Sequence, residues 1–170
     1  MVIWLTGLSA SGKTTIGTFV FKLLREREQH TIFVDGDDIR KIFNWDKEEQ
    51  YFSEEGRRQV SESISDVCLW LDKQGMNVVC CTISLYDHLH QRNRKTFSSY
   101  FEVFLDTPFQ QLCERDKNNL YAKEPPYVSK KVVGIELPFN KPKSPDLILK
   151  NKDGVDPEKL ARLIIDKAGF

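Results

Sequence analysis

Val2-Ile3-Trp4-Leu5-Thr6-Gly7-Leu8-Ser9-Ala10-Ser11-Gly12-Lys13-Thr14 is the stretch that decides the fold. An apolar run of strand length ends in glycine, and the last eight residues match G-x-x-x-x-G-K-[ST]. From Lys13 to Glu28, residues Ile16, Val20, Leu23 and Leu24 then fall at helical spacing. Strand, glycine loop and helix in that order make a phosphate cradle. The glycines let backbone N–H groups turn inward around phosphate oxygens, and the helix N-terminus adds the positive end of its dipole. Lys13 can reach the β- and γ-phosphates of ATP, and the Thr14 hydroxyl can take a place on Mg²⁺. The alternative is a glycine-rich turn with a solvated lysine, against which the strand–loop–helix context weighs.

Working outward, the alternation of strand and helix continues. Thr31 to Val34 reads as a second strand, stopping at Asp35-Gly36-Asp37. Ser53 is a good N-cap for a helix that runs to Gln74, with Val60, Ile64, Val67, Cys68 and Leu71 on one face and Gly75 as its stop. Val78 to Ile83 is nearly all apolar, as a strand covered on both faces should be, and Phe101 to Leu105 is similar. Thr107-Pro108 opens another helix, Leu147 to Leu149 supplies a fifth strand, and Asp156-Pro157 starts a last helix from Glu158 to Ala168. The prediction is an α/β fold: one P-loop domain over residues 1–170, with a central parallel sheet of about five strands flanked by helices. Between Lys117 and Pro145 the pattern breaks into a proline- and lysine-rich stretch, expected to be a lid loop.

Composition narrows the partners. The 170 residues are 40% apolar, enough for one core, and 25 basic residues balance 25 acidic ones. No global positive field exists to hold nucleic acid or an anionic membrane, so a small molecule is the expected partner. No apolar run approaches the roughly 20 residues that span a bilayer, and a cytoplasmic location is expected. Cys68, Cys80, Cys81 and Cys113 lack paired spacing and read as reduced core thiols, with adjacent Cys80 and Cys81 on opposite faces of a strand. His30, His88 and His90 do not supply zinc-ligand pairs.

A nucleotide site of this kind fits a kinase, a GTPase or a motor ATPase. Asn140-Lys141-Pro142-Lys143 and Asn151-Lys152-Asp153-Gly154 both fail the N-K-x-D pattern of guanine recognition, and the length leaves no room for a motor's partner domains. Asp35 and Asp37 should project at the carboxyl edge of the sheet beside the phosphate loop, as a catalytic base, a Mg²⁺-water ligand or both. The other reading is an ordinary Asp-Gly turn. Arg40, one helical turn past Asp37, and Arg57-Arg58 are candidates for gripping a second, anionic substrate.

These residues together resemble one family, the adenylylsulfate kinases, which phosphorylate the ribose 3′-hydroxyl of adenosine 5′-phosphosulfate. The resemblance spans Val2 to Leu149. It rests on Gly7-Leu8-Ser9 through Thr15, Val34-Asp35-Gly36-Asp37 with Arg40, Phe52-Ser53 with Arg57, and Ile83-Ser84 with Tyr86. Glu102 to Pro108, Cys113-Glu114-Arg115-Asp116, Leu120-Tyr121, and Gly134-Ile135 with Pro138 extend it.

The resemblance implies that Gly7, Ser9, Ala10, Ser11, Gly12, Lys13, Thr14 and Thr15 hold ATP, with Thr14 on the metal and Arg115 on the adenine side. Asp35 would be the general base, with Lys13 as its catalytic partner on the phosphates. Asp37, Arg40, Phe52, Arg57, Ile83, Ser84, Lys131 and Val132 would line the acceptor subsite, with Phe52 stacked on the acceptor base. Homodimers are common in the family.

Departures from the family pattern gather on the acceptor side. Val60 stands where the family usually has asparagine, Lys131-Val132-Val133-Gly134 lacks its usual lid phenylalanine, and Ile83-Ser84-Leu85-Tyr86-Asp87 replaces I-S-P-Y-R. Tyr127 and Phe139 are the lid rings available in its place. The expectation drawn from these changes is a cytidine nucleotide acceptor. The family includes diverged kinases acting on cytidine diphosphoramidate in capsule-polysaccharide modification, and the chain resembles those. Adenosine 5′-phosphosulfate is the alternative acceptor, and an ATP-binding regulator without catalysis is the alternative of another class.

Overall fold

The computed structural model describes residues 1–84, 86–116, 119–121 and 132–170. Strand β1 (Val2–Thr6) runs into the phosphate loop and helix α1 (Lys13–Arg25), followed by β2 (Thr31–Asp35) and α2 (Gly36–Ile42). A 3-10 turn, Glu49–Phe52, leads to α3 (Glu54–Lys73), β3 (Asn77–Thr82), α4 (Asp87–Thr96) and β4 (Tyr100–Leu105). The chain closes with α5 (Phe109–Arg115), β5 (Leu147–Leu149) and α6 (Pro157–Ala168). The five strands form one sheet in the order β2-β3-β1-β4-β5, and every neighbouring pair is parallel.

Pleating splits the apolar strands between two cores. Along β1, Ile3 and Leu5 face one side and pack with Ile16, Val20 and Leu24 of α1 and Ile164 of α6. Val2 and Trp4 face the other and pack with Val60, Ile64 and Cys68 of α3. Period two in the strands and 3.6 in the helices therefore meet on both faces of the sheet. Cys81 belongs to the first core and Cys80 to the second, as their adjacency in a strand requires. Cys113 departs from the core-thiol expectation: it is exposed, on the outer side of α5.

Helix ends follow their sequence signals. The Ser53 hydroxyl accepts from Gly56 N at 3.0 Å, and the Asp156 carboxylate accepts from Glu158 N at 2.9 Å with Pro157 in the first turn. Two helices carry no such apolar signature. Helix α2 begins directly at the Asp35-Gly36-Asp37 turn, with Asp35 as its N-cap. Helix α4 buries only Leu89, His90 and Asn93, so two polar residues stand where periodicity would look for apolar ones.

Strand β1 at the centre of the sheet places the phosphate loop at its carboxyl edge, with the ends of β2 and β3 beside it. Crossover helices on both faces leave that edge open, where ligands bind in such sheets.

Candidate active site

The loop from Gly7 to Gly12 is held open by backbone conformations that few side chains adopt. Gly12, the N-cap of α1, has φ 92°, and a Cβ there would lie 2.5 Å from Asn151 Nδ2. Ala10 also sits at positive φ, 60°. Outside partners fix the loop from behind: the Ser11 carbonyl accepts from Asn151 Nδ2 at 2.8 Å and from Thr107 Oγ1 at 3.2 Å, and the Ser9 carbonyl accepts from the Tyr121 hydroxyl at 3.0 Å. With these carbonyls drawn outward, the loop's N–H groups are available to the space above it.

Lys13 Nζ donates to Leu8 O at 2.7 Å, folding the side chain over the loop. Burial lowers its pKa from 10.5 to about 8, against a partial pull back by nearby charges that include Asp37 and Asp35. Thr14 Oγ1 donates to Asp35 Oδ2 at 2.7 Å, and Asp35 Oδ1 accepts from Asp37 N at 2.9 Å. Asp35 is thus buried and fixed at both oxygens, whereas Asp37 is exposed on the first turn of α2. Hydroxyl and carboxylates together form an all-oxygen donor set of the kind that a hard cation such as Mg²⁺ prefers.

A cavity of about 1000 Å³ opens over this loop. Ser9, Ala10, Gly12, Lys13, Thr14 and Thr15 form its floor, with Asp35 and Asp37 on one wall. Towards one end it is lined by Arg40, Phe52 and Arg57, and Val60, Ile83 and Val132 also line it. Both guanidiniums lie against the Phe52 ring, Arg40 at 5.4 Å and Arg57 at 5.5 Å from its centroid. Arg40 Nη1 donates to Tyr51 O at 3.3 Å and Arg57 Nε donates to Phe52 O at 3.1 Å. Burial, and then repulsion from Arg40, lowers the Arg57 pKa to about 10, against a partial pull back by Tyr86 and Asp37. At the other end stand Arg115, Asp153, Val155 and Pro157. Arg115 pairs there with Asp153, Nη2 to Oδ1 at 2.5 Å.

The structure therefore brings most of the residues expected from sequence to this cavity and places a few others off it. Gly7 and Ser11 do not line the cavity: the first turns the chain beneath it, and the second is fully buried behind it. Ser84, expected at the acceptor, is 1% exposed and also off the cavity. Its hydroxyl is engaged with His90 Nε2 at 2.6 Å, and its backbone pairs with the Thr6 hydroxyl. Phe139 is no substitute for the missing lid ring, because it stacks on Phe104 at 5.9 Å on the far side of the loop. Lys131 and Tyr127 lie outside the described residues. Within the expected lid, Val132 and Val133 are buried against the cavity.

Sequence reasoning passed over Asn151, which holds the Ser11 carbonyl from the end of β5. Asn151-Lys152-Asp153-Gly154 lacks the guanine pattern, yet all four residues line the cavity. Its place directly after a core strand was the available signal.

The family model described as adenylylsulphate kinase matches residues 1–150. The chain belongs to the adenylylsulfate kinase family. Among this family's proteins, cytidine diphosphoramidate kinase of Campylobacter jejuni is 33% identical over 166 residues, covering 98% of this chain and 95% of that one. The bifunctional enzyme NodQ of Azospirillum brasilense is 30% identical over 167 residues, and there the chain spans 26% of the relative's length. Among solved structures, the Mycobacterium tuberculosis APS kinase CysC in complex with AMPPNP and APS superposes with a TM-score of 0.83 at 33% identity, covering 98% of this chain and 95% of that one. As a member of the adenylylsulfate kinase family, the protein is an ATP-dependent phosphotransferase acting on a nucleotide acceptor, and family membership implies Mg²⁺-ATP as the donor.

Proposed function

We propose that the protein transfers the γ-phosphoryl group of ATP to the ribose 3′-hydroxyl of adenosine 5′-phosphosulfate. The carrying observation is the single cavity in which the phosphate loop and Asp35 stand between two chemically different ends. The Arg115 end takes the donor's adenine. The Arg40, Phe52 and Arg57 end takes an anionic 5′ group and a stacked base. Asp35 accepts the 3′-hydroxyl proton as the new oxygen–phosphorus bond forms and the β–γ bridge breaks, with ADP as the leaving group. Lys13 and the loop N–H groups hold the charge that gathers on the phosphates. Thr14 and the neighbouring carboxylates would hold Mg²⁺, which would neutralise a further part of that charge. The match to the adenylylsulphate kinase model and the likeness to the APS-bound structure support this acceptor over the cytidine nucleotide expected from sequence.

A second reading, cytidine diphosphoramidate as acceptor, is favoured by two particular observations. The Campylobacter jejuni relative matches across almost its whole length, and Val60 and Val132 give the cavity apolar walls where the family usually offers an amide and a ring. The experiment is a comparison of kcat/KM for the two acceptors at equal Mg²⁺ and ATP. A tenfold or greater preference for adenosine 5′-phosphosulfate upholds the first reading; a tenfold preference for cytidine diphosphoramidate replaces it with the second.

A further inference from the structure

Behind the acceptor end lies a buried relay off the cavity lining. Ser84 Oγ is 2.6 Å from His90 Nε2, and His90 Nδ1 meets Glu102 Oε1. Ser84 is 1% exposed, His90 7% and Glu102 2%. Arg94 Nη2 lies 3.4 Å from Glu102 Oε2. The two ring nitrogens of His90 are thus both engaged, Nε2 with the Ser84 hydroxyl and Nδ1 with the Glu102 carboxyl group. The order serine, histidine, acid resembles a hydrolase triad, but Ser84 is buried and off the cavity lining, where an attacking hydroxyl would have to face the cavity.

What the relay holds is the segment that leaves β3. Ile83, one residue before Ser84, lines the cavity. Tyr86, two residues after it, donates through its hydroxyl to Glu54 O at 2.9 Å, on the first turn of α3, the helix that carries Arg57. On its other side the relay reaches the chain entering β5. Asp146 Oδ2 accepts from Glu102 N at 2.7 Å, and Arg94 donates to Asp146 Oδ1 at 3.0 Å and to Ser144 O at 2.7 Å.

We infer that His90 is a positioning residue for the acceptor subsite, locking the Ile83–Ser84 segment, and through Tyr86 the Arg57 turn, to β4. The inference rests on the reading that the Arg40, Phe52 and Arg57 end receives the acceptor. Helix α4 then has a role its sequence does not announce, since its buried polar face is the bracket that sets this wall of the site. A hydrogen bond aligned through two buried partners fixes a loop more tightly than apolar contact, because breaking it strands a polar group away from water.

The test uses Ser84→Ala, His90→Phe and the double variant. In each, KM for the preferred acceptor should rise roughly tenfold, the size of one lost neutral hydrogen bond, while KM for ATP and kcat stay within about threefold. The double variant should resemble the single ones, because both break the same link. Ser84→Ala leaves the His90–Glu102 contact intact and carries the test if His90→Phe does not fold. Unchanged acceptor KM, an equal loss in both substrates, or multiplying effects in the double variant would overturn the inference. Amide exchange gives a readout independent of activity: in Ser84→Ala it should rise at Ile83, Ser84, Tyr86 and the first turn of α3, and not at the start of α1. Unaltered protection there overturns the relay. Wild-type protein that turns over neither acceptor overturns the acceptor reading instead, and the exchange measurement still decides the relay.

Discussion

Thr14 Oγ1 and Asp35 Oδ2 share a 2.7 Å hydrogen bond that joins the phosphate loop to the end of β2. It brings a hydroxyl suited to the metal and a carboxylate suited to the acceptor's proton into contact, at the point where donor and acceptor must meet. Asp35→Asn should lower kcat by roughly 10²–10⁴-fold. Asparagine caps a helix about as well as aspartate, so α2 should persist and the melting temperature should change little. Asp37→Asn should cost less activity than Asp35→Asn. Steady-state kinetics of the pair checks the assignment, and the reverse order would make Asp37 the base.

Lys13 makes a pH prediction whose sign follows from burial. Its pKa in the fold is about 8, below the ordinary 10.5, so the folded state carries the cost of a poorly hydrated ammonium below pH 8. That cost fades between pH 8 and 10.5 as the folded protein sheds the proton first. Lys13→Met should therefore raise the melting temperature of the ligand-free protein at pH 7, by a margin that closes towards pH 10. Turnover should fall by orders of magnitude at every pH. Thermal melts across that range provide the check.

Arg40 and Arg57 both lie against the Phe52 ring, and the proposed acceptor's 5′ anion would add an attraction to both guanidiniums. A nucleotide with a 5′ anionic group should raise the melting temperature, and the corresponding nucleoside should not. Arg57→Lys should raise acceptor KM by about 10–100-fold with KM for ATP unchanged, because a lysine cannot lie against Phe52 and donate in a fork.

Val60 offers a direct handle on acceptor choice. It is 2% exposed in the second core and lines the cavity. Val60→Asn should shift the kcat/KM ratio towards adenosine 5′-phosphosulfate by about tenfold. A buried amide with incomplete partners should also lower stability by about 1–3 kcal/mol. Competition between the two acceptors, with a denaturant melt alongside, measures both effects.

Gly7 to Thr14, the apolar runs at β1, β3 and β4, the periodicity of α1 and α3 and the Asp156-Pro157 start of α6 were legible in the sequence. Each is a local pattern: the residue types alone dictate where the backbone turns, which face is apolar and where a phosphate can sit. The Asp35-Gly36-Asp37 carboxylates and Arg40 were legible for the same reason, since they follow a strand end at a fixed offset, and Arg57 because it follows the Ser53 N-cap of a long helix. What the tertiary structure decided lies where residues distant in sequence compete for one side chain. Ser84 reads as a site serine until His90, from a helix with no apolar signature, takes its hydroxyl and Glu102 takes the ring. Asn151 reads only as part of a failed guanine pattern until β5 places its amide on the Ser11 carbonyl, 140 residues away. Hydrogen bonds of that span depend on the packing of whole strands against one another, and no local pattern encodes them.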